Sequence, residues 1–269
     1  MKNYRFTPAF TMLELVFVIM ILGIVASIGT EMVVKVYESY IVQRAEHRAS
    51  VQTELSATQI ANRLSSAIPG TVYRIRTNNT YEPIESDFPG TTGDDYKGIQ
   101  WVSADTDSFS ATTVPGWSGF CDVDNSTQDS LSTPGSNLSL TNTIISTLSN
   151  GKSIADAAVY FPSERFGQGI SGITGNTIIS LDNNVSRIVE HYKLAWTSYA
   201  IVVEGGDLFL YYNFAPTPAI PVGNIRSLLM EDVSTFKFKG AGRTIRFKIC
   251  KEENIGDSTV AACKEKAVF

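Results

Sequence analysis

The chain has 269 residues, 43% of them hydrophobic, with 22 Lys plus Arg against 27 Asp plus Glu. That composition suits one ordinary folded domain with an appended segment, and it excludes a disordered or collagen-like chain. A net charge of -5 without clustered basic residues lacks the footprint that phosphate contacts need, so no nucleic-acid partner is expected.

The first feature along the chain is "RFTPAFTMLELVFVIMILGIVASI", residues 5 to 28. From Phe10 to Thr30 only Glu14 is charged, and as a helix this run is roughly 31 Å long, the depth of a bilayer's hydrocarbon. Lys2 and Arg5 precede it, and a positive flank favours a cytoplasmic N-terminus with everything after Thr30 on the outer side. A removable secretory signal is the competing reading, with Ala26 and Ser27 of "IVASIGTEM" as small residues near a cut.

The order of features separates the two: a short basic leader, a small residue, then "FTMLE" ahead of the apolar run. This resembles the prepilin signal of type IV pilins and type II secretion pseudopilins. The resemblance implies a prepilin peptidase that cuts between Ala9 and Phe10 on the cytoplasmic side and methylates Phe10, making Glu14 the fifth residue of the mature chain. The family usually has Gly before the cut; here it is Ala9, preceded by Pro8. A carboxylate in hydrocarbon costs a few kcal/mol unless it is partnered. The freed amine of Phe10 lies one turn from Glu14, and the amine of a neighbouring subunit is the partner the family implies for subunit assembly. A position at the headgroup level, wetted by water, is the plain alternative for Glu14.

Beyond the span, Val33, Val36, Tyr37, Tyr40, Val51, Leu55, Ile60, Leu64 and Ile68 recur at helical spacing, and no Pro interrupts positions 9 to 68. Pro69 and Gly70 end the pattern. One helix of nearly sixty residues, about 88 Å long, is expected, its lipid half at 10–30 and its amphipathic half at 31–68. Residues 1–9 form the leader that the resemblance implies, and 69–269 a globular β-rich domain in the periplasm. Arg44, Glu46, His47, Arg48 and Glu54 read as a solvated face.

After Pro69 the pattern turns to short alternating runs. "TVYRIRT" (71–77) and "GIQWVSA" (98–104) read as half-buried strands, and "SYAIVVEGGDLFLYYNF" (198–214) as a hairpin turning at Gly205 and Gly206. "VSTFKFKG" (233–240) and "TIRFKIC" (244–250) form a second pair. These four later strands are expected in one antiparallel sheet packed on the soluble half of the helix, which makes the fold α+β and pilin-like. In the polar middle, 105–190, "LSLTNTIISTLSN" reads as a helix with Leu140, Ile144, Ile145 and Leu148 on one side, and "AAVYF" (157–161) as a strand. "GQGISGITG" (167–175) reads as a loop. "CDVDNSTQD" carries Asp122, Asp124, Asn125 and Asp129 but lacks the turn Gly and terminal Glu of a calcium loop, so it reads as solvated polar chain.

The size and the stretches "ANRLSSAIPGTVYRI", "SYAIVVEGGDLFLYYNF" and "LLMEDVSTFKFKG" look most like the large minor members of the family, the J-type pseudopilin and the W-type minor pilin. A C-terminal disulfide loop, found in many pilins, is implied for Cys250 and Cys263 around "KEENIGDSTVAA". Cys121 is either a buried small hydrophobe or the partner of one of the other two.

No Walker loop, GxSxG, HExxH, paired metal-binding cysteines or dinucleotide fingerprint is present, so an enzyme, a cofactor and a metal site are not expected. The resemblance implies a minor subunit at or near the tip of a type II secretion pseudopilus or type IV pilus. Its partners would be other pilin or pseudopilin subunits, the prepilin peptidase, the inner-membrane assembly platform and the lipid bilayer. The alternative is an extracytoplasmic binding protein held on the inner membrane by the same helix.

Overall fold

The computed structural model describes residues 11–85, 95–162, 164–241, 243–256 and 258–268. One long helix, α1 (Met12–Leu64), leads into β1 (Tyr73–Arg76), β2 (Tyr81–Pro83) and β3 (Tyr96–Ser103). The middle of the chain holds α2 (Thr106–Phe109), β4 (Asp122–Thr127), β5 (Ser130–Ser132), α3 (Leu138–Ser149), β6 (Ala158–Tyr160), β7 (Gln168–Thr174), β8 (Ile178–Leu181) and β9 (Lys193–Ala195). The last third holds β10 (Thr197–Glu204), β11 (Asp207–Phe214), β12 (Arg226–Met230), β13 (Val233–Ala241), β14 (Thr244–Ile255) and β15 (Ser258–Val268).

These strands make three antiparallel sheets rather than the single four-stranded sheet expected. A central sheet has the order β12-β11-β10-β3-β1-β2, a distal sheet β4-β5-β8-β7-β6-β9, and a hairpin sheet β13-β14-β15. The fold is α+β, as the alternation of strand runs after one helix implies. The 198–214 hairpin forms where the sequence places it, and Gly205 and Gly206 turn it with φ of 64° and 93°. Two consecutive positive φ values define a turn whose twist matches the flanking strands, and only residues without a Cβ penalty adopt them readily.

The helix is shorter at its end than the periodicity suggests. Ser65 and Ser66 turn their hydroxyls back onto Asn62 O and Arg63 O, at 2.7 and 2.8 Å. Ala67 then pairs with Ser103, and Ile68 N donates to Val102 O at 2.9 Å. Pairing with the C-terminal end of β3 therefore takes the backbone before Pro69 is reached, and Gly70 completes the turn at φ 83°. At about 1.5 Å per residue, α1 spans roughly 80 Å.

The face of α1 that packs is only in part the one the large apolar residues suggest: Ile60 and Leu64 are on it. Ala45, Ala49, Thr53, Ser56, Ala57, Ile60 and Leu64 are buried, while Val51 and Leu55 point outward. Small side chains let the helix axis approach the sheet closely, and Ile60 and Leu64 then enter a core with Ile99, Trp101, Ile201, Phe238, Phe247 and Ile249. That core joins helix foot, central sheet and hairpin sheet. Residues of the opposite face of the central sheet, among them Ile75, Val202 and Tyr211, pack under Ile220 and Val222.

The middle of the chain builds a core of its own, around Leu131, Leu138, Ile145, Val159, Ile170 and Leu194. The expected helix forms as α3, but its buried stripe is Leu138, Thr141, Ile145 and Ser149, with Leu148 exposed. "GQGISGITG" is a strand, β7, rather than a loop. Its glycines serve close approach: a Cβ on Gly167 would sit 2.5 Å from the Tyr160 ring, and one on Gly169 2.3 Å from the Asp182 carboxylate. "CDVDNSTQD" likewise contributes β4 to the distal sheet.

Candidate functional site

The N-terminal half of α1 begins with a cap. Thr11 Oγ1 accepts a hydrogen bond from Glu14 N at 3.3 Å, and Glu14 stands in the first helical turn. Thr-x-x-Glu is the capping-box pattern, and a carboxylate in the first turn also faces the positive end of the helix dipole. Sequence reasoning read Glu14 only as a membrane acid; the "TMLE" spacing carries this second role. Ala9 and Phe10 lie outside the described residues.

Every residue from Met12 to Tyr40 is exposed, and the first buried side chain is Ala45. The helix is long and apolar enough to cross a membrane, and none of its apolar window is buried against the rest of the chain. The exposed section is about 44 Å long by its rise per residue, whereas hydrocarbon is about 30 Å deep. Val33, Val36, Tyr37 and Tyr40 thus form a surplus of bare apolar surface past the expected span, each 58% exposed or more. With Arg44 and His47 interposed, Val51 and Leu55 continue this uncovered side along the stalk.

The foot of α1 is clamped to the two C-terminal strands. Glu54 takes Lys266 Nζ at 2.8 Å and Lys264 Nζ at 3.1 Å, and Lys266 also donates to Thr58 Oγ1 at 2.8 Å. The hydrogen bond from Lys266, then that from Lys264, holds the Glu54 carboxyl well below the usual carboxylate range, at about 2. Arg48 pairs with Glu253 on β14, and Ser56 Oγ donates to Leu229 O at 3.1 Å. The polar residues the sequence assigns to a solvated face therefore divide, with Arg48 and Glu54 holding the helix in place.

Cys250 and Cys263 are disulfide-bonded and directly opposite in the β14–β15 register. The segment between them is not an irregular loop but the end of a long hairpin turning at Gly256. Cys121 is free and buried in the middle core, its Sγ 3.4 Å from Ser126 Oγ, and burial pushes its thiol pKa up. His47 is exposed on the stalk, and His191 stands edge-on to Phe120. Among the described residues no three His, Cys, Asp or Glu side chains come together as ion ligands.

No family model, no curated protein and no solved structure matches the chain.

Proposed function

We propose that the chain is a minor pilin- or pseudopilin-like subunit, processed between Ala9 and Phe10, anchored by α1 in the inner membrane with its domain in the periplasm, and passed from there into a filament. The observation that carries this reading is the exposed helical section 12–40, which is longer than a bilayer's hydrocarbon is deep; Glu14 is the one acid in its apolar run up to Thr30, and Glu31, Lys35 and Glu38 follow beyond it. An anchor alone has no use for the surplus Val33–Tyr40 surface, since exposed apolar patches of this extent mark a contact surface. Packed helices of neighbouring subunits would cover it, at about 1.5–3 kcal/mol for each large apolar side chain fully buried. The disulfide between Cys250 and Cys263 accords with an oxidising compartment on the far side of the membrane.

Two substitutions separate the roles of Glu14. Glu14→Gln keeps a side chain that can reach back to the cap, but it removes the charge that an amine would meet. Filament assembly or secretion is expected to fall at least tenfold, about 1.4 kcal/mol, in both Glu14→Gln and Glu14→Leu, with membrane insertion intact. If Glu14→Gln assembles like the parent, Glu14 is a helix cap and the subunit reading fails. Sequencing the N-terminus of membrane-purified protein should return methylated Phe10; an uncleaved Met1 would remove the amine on which the assembly role depends.

A further inference from the structure

A cleft of about 610 Å³ opens where the end of α1, the distal sheet and the β13–β14 turn meet. Its size lies within the range of small-ligand sites. Part of its lining is aromatic and apolar: Phe109 packs on Trp117 at 4.8 Å with the rings tilted by 52°, Trp117 packs on Tyr192 at 5.8 Å, and Pro162 lines the same cleft. Phe109 is 45% exposed although its ring partner is buried, so half of the stack is left facing solvent.

Another part is cationic. Lys193, at the start of β9, and Arg243, in the β13–β14 turn, both line the cleft, and among the described residues no Asp or Glu does. Among the described residues neither makes an ion pair, in a chain whose net charge is -5. Burial, and then the nearby Arg243 guanidinium, lower the pKa of Lys193, which places the two cations within reach of each other. Glu85 lines the adjoining cleft together with both cations and pairs with Arg165 at 3.6 Å. Two like charges held together with no ion pair of their own among the described residues carry an electrostatic cost, which an anion between them would relieve.

We propose that this cleft binds a carboxylate carried on an aromatic or branched apolar group, the acid held between Lys193 and Arg243 and the apolar body against Phe109, Trp117 and Pro162. Arg presents a planar fork matched to a carboxylate, and Lys supplies a second point charge. The aromatic wall rewards a flat or branched group by apolar burial and offset stacking. Such a carboxylate occurs as a free small acid and at the C-terminus of a polypeptide.

The test uses the full chain in detergent micelles and calorimetric titration with N-acetyl-phenylalanine. Saturable one-site binding is expected, at least tenfold weaker in Lys193→Gln and in Arg243→Gln and unchanged in Lys248→Gln, a cation on the outer side of β14. N-acetyl-phenylalanine amide is expected to bind at least tenfold more weakly than the acid, and inorganic phosphate, which has charge but no apolar body, should not displace it. A tetrapeptide ending in Phe separates the two sources. Binding tenfold tighter than the single acid, lost on amidation, points to a polypeptide terminus, and equal binding points to a free acid. No saturable binding, equal binding of acid and amide, or equal binding by Arg243→Gln overturns the proposal.

Discussion

The disulfide offers a stability change that can be worked from the fold. Cys250 and Cys263 are 13 residues apart in sequence and face each other across β14 and β15. Inward-facing partners on the same hairpin are Ile249 with Lys264, Phe247 with Lys266 and Ile245 with Val268, so the two cysteines lie on the side turned away from α1. Replacing both by Ala opens no cavity in the main core, and what is lost is the restriction on the unfolded chain. For a closed loop of this length that restriction is worth about 3 kcal/mol in the chain-entropy account. In a protein of this size each kcal/mol moves the melting temperature by roughly 2–4 °C, so the double variant should melt about 6–12 °C lower. Differential scanning calorimetry of the full chain, with and without a reductant, measures this. The reduced parent should match C250A/C263A, because both lack the same cross-link. A double variant that melts within about 2 °C of the oxidised parent would mean the hairpin is held in register without the bond, and that the unfolded chain is not the state it acts on.

Two further outcomes bear on the helix foot and the central sheet. Because Glu54 is depressed to about 2 from an ordinary 4.5, its pairing stabilises the fold above about pH 4.5 and is lost as pH falls toward 2. The acid limb of a pH–melting curve should therefore be shallower in Glu54→Gln than in the parent, and the gap between them should close below pH 2. Gly98 sits in β3 opposite Val202, and a Cβ there would lie 2.3 Å from Ile201 O on the neighbouring strand. Gly98→Ala must push β3 and β10 apart and should cost about 1–3 kcal/mol, read as a lower urea midpoint at unchanged slope. A midpoint equal to the parent's would contradict the β3–β10 register.

What the sequence shows most clearly is what is strongly periodic. The apolar helix and the 198–214 hairpin are written in uninterrupted patterns with their turn residues in place. The last strand, β15, escaped notice because its inward positions are Val260, Ala262, Lys264, Lys266 and Val268. Lysines there look like solvent positions until Glu54 is placed opposite them, and that placement depends on tertiary packing. The packed stripe of α1 was hidden for a related reason. Above Ile60 its contact residues are Ala, Thr and Ser, suited to close approach, while the larger Val51 and Leu55 face outward and mimic a core face. Around β7 the glycines suggest a loop, yet Gly167, just before it, makes room for Tyr160, and Gly169, within it, for Asp182. Ala9 and Phe10, on which the proposed processing turns, fall outside the described residues, and the aromatic cleft draws on segments too far apart in sequence to form any local motif.

The clamp between α1 and β15 also sets an order of events. Glu54 meets Lys266 across a separation of 212 residues, and contacts of such span are made late because a long loop must close before they form. The helix foot therefore emerges from synthesis first and finds its partner last. Until β15 is in place, the Ala- and Thr-lined stripe of α1 is bare, next to the exposed apolar section 12–40 of the same helix. If the chain is the subunit proposed above, it becomes competent for assembly only once β15 has docked on Glu54, which ties assembly to the folding of the domain.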